Sequence, residues 1–175
     1  LYPADSVAME AGIIRLTTHD FENINSITNS ISEDYDSGSG GKDRYSVVTV
    51  QLNGTDDAVT GVSYGGVNGK LLHKRRADFS QGANFNYMFG ILNPPTGTHS
   101  LVVSGSQPVP GQIAAVTYSG VDATQPQQTG SMSTDTWLSS WGTAFHTHHP
   151  GEVAVVMTGD NNGGMAAGMS TEKLS

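Results

Sequence analysis

The chain has 175 residues, enough to bury one core unaided, and no cysteine, which excludes disulfide frameworks, thiolate zinc sites and cysteine nucleophiles. A formal net charge of −8 argues against a nucleic-acid partner, which needs a concentrated cationic face. Only 14% of residues are charged and 22 are glycine, a balance that favours strands and turns over helices, and no apolar run is long enough for membrane insertion.

Taken in chain order, an irregular start gives way to a short strand at residues 12–18 (GIIRLTT), and Ile24, Ile27 and Ile31 punctuate a polar second one. Residues 33–43 (EDYDSGSGGKD) cluster Gly, Ser and Asp and read as a loop. Residues 44–52 (RYSVVTVQL) form a β-branched strand that ends in the turn Asn53-Gly54-Thr55-Asp56-Asp57. Asn53-Gly54-Thr55 also spells a glycosylation sequon, which a tight turn explains equally well. A strand at 59–64 follows, then a Gly65-Gly66 turn and a strand at 67–76. Residues 84–92 alternate, with Phe85, Tyr87 and Phe89 on one face, which is expected to be buried. Two consecutive prolines at 94 and 95 cannot donate to a ladder, so 93–97 is a bend leading to a strand at 98–104. The most apolar strands, at 112–118 (QIAAVTY) and 151–158 (GEVAVVMT), are expected to be central.

Strands of this length between turn signals predict an all-β fold: an antiparallel β-sandwich, jelly-roll-like. It forms one domain overall, with an N-terminal arm over 1–43 and the sandwich core over 44–175.

Three segments occur in a telling order: Val59-Thr60-Gly61-Val62-Ser63-Tyr64-Gly65-Gly66-Val67, then 87–99 with Asn93-Pro94-Pro95-Thr96-Gly97-Thr98-His99, then 114–125 (AAVTYSGVDATQ). Together they resemble a widespread, mostly uncharacterised group of β-sandwich domains in bacterial surface proteins and tailed-phage genomes. The resemblance spans about residues 44–158 and implies a structural role on a virion surface or outside the cell. That group usually continues with a further strand or two after the equivalent of 153–158, whereas here only 165–175 remain. The sandwich is therefore expected to carry an open edge completed by a neighbouring chain, since unpaired edges recruit strands.

Several clusters are candidates for chemistry. On a strand, His146 and His148 would share a face and could share a metal ion with Asp135 or Glu152, but two histidines are an incomplete site that an exposed polar edge explains as well. Asp34, Asp36 and Asp43 offer hard oxygen ligands to calcium on a glycine-rich loop, though without EF-hand spacing, and residues 160–164 are a poorer version of the same idea. Otherwise no cofactor is implied. His73, Lys74, Arg75 and Arg76 form the one basic cluster of an acidic chain and suit an acidic surface on a neighbouring subunit, a phosphate or an acidic glycan. Trp137 and Trp141, with Phe145, could form a sugar platform, although such rings are more often buried.

Nucleophile-elbow, P-loop and dinucleotide patterns are missing from the sequence, so the expectation is not an enzyme. The leading expectation is a capsid decoration or fibre subunit of a bacteriophage, acting through protein partners as a homo-oligomer. The alternatives are a carbohydrate-binding adhesion module of a secreted protein and a subunit of a cellular surface filament.

Overall fold

The computed structural model describes residues 14–24, 30–79, 82–107, 110–122, 153–158 and 168–173, with side chains described within 32–76, 83–107 and 110–122. All the regular elements among the described residues are strands: β1 (Ile14–Ile24), β2 (Ser30–Asp36), β3 (Tyr45–Asn53), β4 (Val59–Tyr64), β5 (Val67–Asn68), β6 (Lys70–Phe79), β7 (Gly82–Leu92), β8 (Thr98–Gly105), β9 (Gly111–Ser119), β10 (Val153–Thr158) and β11 (Gly168–Lys173).

Their pairing is nested around one tip. At Gly65 and Gly66, whose φ values of 53° and 83° suit a tight hairpin turn, the chain doubles back. From that tip outward β4 pairs with β5, β3 with β7, β2 with β8 and β1 with β9, all antiparallel. The long hairpin is then rolled up, because β3 also pairs with β9 and β4 with β8. Two sheets result, β1-β9-β3-β7-β6 and β2-β8-β4-β5. A nested hairpin rolled into two facing sheets is the jelly-roll arrangement, so the chain is an antiparallel all-β sandwich of that type.

The core lies between the sheets. Val48, Val50 and Leu52 of β3 meet Val62 and Tyr64 of β4 and Leu101 and Val103 of β8 there. Each of these buried apolar side chains contributes roughly 1.5–3 kcal/mol relative to exposure. The opposite face of the five-stranded sheet is covered too, with Tyr45, Val47, Val116 and Tyr118 clustering on it. Burial on both faces explains why β3 and β9 read as continuous apolar or small-residue runs rather than alternating ones. Thr49, Gln51, Asn84 and Gln112 are buried on that second face as well.

Three expectations change. Residues 33–36 are not loop: they complete β2, which runs beside β8 and buries Tyr35. The expected strand at 67–76 is two strands in different sheets, divided at Gly69, where the chain steps from the edge of one sheet to the edge of the other. Residues 153–158 are not central: β10 pairs with β11 in a two-stranded sheet of its own. β9, by contrast, is central between β1 and β3, and β1 and β2 are members of the two large sheets.

The eight strands that make the roll, β1 to β5 and β7 to β9, are all in place by Ser119. Among the described residues the sheet edges are β1 and β6 on one sheet, β2 and β5 on the other.

Candidate interaction surfaces

One end of the sandwich is a knot of loops. The segment 37–44 between β2 and β3 meets the bend 93–97 through Ser37 N to Gly97 O (3.1 Å) and Gly97 N to Gly38 O (3.0 Å). Asn93 N donates to Arg44 O at 2.9 Å, and the exit from β9 is tied in by Gly120 N to Lys42 O (2.8 Å) and Val121 N to Asp43 O (2.9 Å). Under these bonds lies Tyr64, whose phenol is shared between the carbonyl oxygens of Gly97 and Tyr35 and accepts from Ser37 N at 3.3 Å. Its ring sits edge-on to Tyr35 and His99, with centroids 5.3 and 5.6 Å away.

At the centre of the knot is Arg44. It is buried, and its guanidinium donates to the carbonyl oxygens of Gly40 (2.5 Å), Ser37 (2.7 Å) and Gly38 (3.1 Å) and to Ser37 Oγ (2.7 Å). Gly38, Gly40 and Gly41 have φ of 79°, 87° and 74°, values that suit glycine where the loop turns its carbonyls inward. The planar fork of an arginine matches several oxygens at once.

The loop therefore already contains a cation, the one on Arg44, where three of its carbonyls converge. Asp34, Asp36 and Asp43 are exposed, and among the described residues they form no metal-holding group. Asp36 Oδ1 instead accepts from Gly38 N at 2.8 Å, a local turn that starts the loop.

All three segments of the family resemblance meet at this end. Gly65 lies so close to the proline bend that an added Cβ would stand 2.5 Å from Pro95 Cγ, and Gly65 N donates to Ser100 O at 3.1 Å. Gly97 and Gly120 take φ of 85° and 72° as the chain turns. These residues shape the turns and hold them to one another.

The basic cluster lies elsewhere, on the edge strand β6. Pairing sets His73 beside Met88, Lys74 beside Tyr87, Arg75 beside Asn86 and Arg76 beside Phe85. Strand alternation thus splits the cluster: Lys74 and Arg76 are exposed on the side of the inter-sheet core, while His73 and Arg75 are half-buried on the other. Lys74 Nζ forms an ion pair with Asp57 Oδ2, and Tyr87 donates its phenol to Asp57 Oδ1 at 2.9 Å. The Lys74 bond holds the Asp57 carboxyl below its usual range, partly opposed by desolvation. Burial, and then the bond to Asp57, push the Tyr87 phenol above the ordinary tyrosine range, so it stays protonated and serves as a donor rather than a base.

Across the molecule, β2 presents a counterpart that the sequence reading missed by treating it as loop. Glu33, Asp34 and Asp36 are all exposed on this edge strand. The alternation of Ile31 and Tyr35 within SISEDYD was the available signal. His146, His148, Asp135, Glu152, Trp137, Trp141, Phe145 and residues 160–164 lie outside the described residues.

Comparison with protein-family models, with curated proteins and with solved structures finds no match to this chain.

Proposed function

We propose that this chain is a non-enzymatic structural module that builds into, or decorates, a repeating extracellular assembly, with the surface of a tailed-phage virion as the setting implied by the sequence resemblance. The observation that carries the reading is the use made of the resemblance residues at the knotted end. Gly65, Pro95, Gly97 and Gly120 fix turns there, and Tyr64 and Arg44 brace them. Such an end is braced by its own side chains and backbone, which suits a building block presenting fixed surfaces to neighbours. Asp57, Lys74 and Tyr87, beside the core, satisfy one another.

Sedimentation velocity over a range of concentrations tests the reading. The expected result is a boundary heavier than the 18.3 kDa chain that grows with concentration. A single 18.3 kDa boundary at every concentration would overturn it.

A further inference from the structure

We infer that copies of this chain join head to tail, with the acidic edge strand β2 of one copy pairing along the basic edge strand β6 of the next. The inference rests on the assembly reading above and names the surfaces that would carry it.

The topology puts these two edges on opposite sides of the sandwich. β5 and β6 are edges of different sheets joined by the single residue Gly69, so they share one side. The remaining edges, β1 and β2, therefore share the other. Among the described residues, neither β2 nor β6 has a strand partner on its outward side.

Charge is divided between the same two strands. β2 carries Glu33, Asp34 and Asp36 and no cation. β6 carries Lys70, Lys74, Arg75 and Arg76, four of the chain's eight Lys and Arg, against one acid, Asp78. Pairing of like edges, β2 on β2 or β6 on β6, would stack charges of one sign directly opposite each other, which is unfavourable. Pairing β2 with β6 does the reverse. Alternation places Lys74 and Arg76 on one face of β6 and Lys70 and Arg75 on the other, with the bulge between Leu71 and His73 resetting the phase. On β2, Glu33 takes one face and Asp34 and Asp36 the other. With Lys74 held by Asp57, Lys70 and Arg75 on one face and Arg76 on the other bring cations to both faces of the joined sheet, where β2 brings carboxylates.

Leu71 adds an apolar reason. It is 43% exposed on β6 itself, where a strand laid alongside would cover it. Because the two edges differ and lie on opposite sides, the contact is heterologous, and repetition closes a ring or extends a filament. Charges on edge strands also serve to prevent unwanted pairing. Protection alone is therefore the competing explanation, and one outcome of the test.

The test uses the full chain in three variants, each checked for wild-type unfolding. E33K/D34K makes both edges basic, and K70E/R76E makes both acidic; Asp36 is kept because it caps the loop at Gly38, and Lys74 because it is paired with Asp57. Each is expected to associate roughly tenfold or more weakly than wild type by sedimentation velocity. The charge-swapped quadruple variant E33K/D34K/K70E/R76E is expected to recover association, as is an equimolar mixture of the two double variants. Added salt should weaken wild-type association. If wild type assembles and the double variants assemble equally well, the edge pairing is overturned and the charges act as protection only, while the assembly reading stands. A wild-type chain that stays monomeric overturns both.

Discussion

Replacing Arg44 with methionine is expected to destabilise the fold by about 3 kcal/mol, because four charged hydrogen bonds to buried and part-buried oxygens are lost at once. The guanidinium is bonded to the carbonyls of Ser37, Gly38 and Gly40 and to the Ser37 hydroxyl. Methionine fills part of the volume but supplies no donor to these oxygens, although the Gly38 carbonyl still accepts from Gly97 N. For a domain of this length the loss corresponds to a fall in the melting temperature of roughly 6–12 °C. Arg44→Lys should restore part of the loss, since an ammonium keeps the charge but not the fork. Thermal unfolding followed by circular dichroism reads both. An Arg44→Met protein that melts with wild type would show that the loop is held by its backbone bonds alone.

The second large effect is expected at Gly111, at the start of the central strand β9. A Cβ there would stand 2.3 Å from the carbonyl oxygen of Gln51 and 2.9 Å from Leu52 Cδ2. The first obstacle is backbone, so the ladder between β3 and β9 must open to admit the methyl group. Gly111→Ala should therefore cost about 3 kcal/mol, at the upper end of overpacking effects. Gly90→Ala is the informative comparison. Its Cβ would come nearer to a neighbour, 1.8 Å from Tyr45 Oη, but that neighbour is the end of a side chain that can turn away. Chemical denaturation of the two variants should place Gly111→Ala well below Gly90→Ala in stability. The opposite order would mean that Tyr45 is held more rigidly than the strand pair.

Much of the fold was legible in the sequence because its central strands are buried on both faces and must be apolar or small throughout. The bounds of β4 match the reading, and β3, β8 and β9 differ from it by a residue or so at their ends. β7 shows its alternation as Phe85, Tyr87 and Phe89, with Phe85 only partly buried. What escaped the reading lies at edges and crossings. β2 looked like loop because it is an edge strand with exposed acids around a single aromatic residue, Tyr35. The step between sheets at Gly69 leaves no mark, since β5 and β6 are both polar edge segments. The apolar content of residues 153–158 suggested a central place, but hydrophobicity does not identify a partner, and β10 pairs with β11.

The candidate surfaces were legible in part. Four consecutive residues, His73 to Arg76, announced a basic cluster, yet only the strand geometry shows that it divides between two faces and that Lys74 is engaged by Asp57. In the glycine-rich loop the sequence drew attention to the carboxylates of Asp34, Asp36 and Asp43 as calcium ligands, whereas the convergence seen there is of carbonyls on the Arg44 guanidinium. That arrangement could be suspected from an arginine standing between a glycine-rich loop and an apolar strand.

Amide hydrogen exchange, compared between dilute and concentrated protein, tests most directly whether this module acts through its sheet edges. Pairing at the edges would slow exchange at concentration within 32–36 of β2 and 70–76 of β6, and leave the bend at 93–97 unchanged. Unaltered exchange along both edges, with new protection confined to the knotted end, would contradict the account.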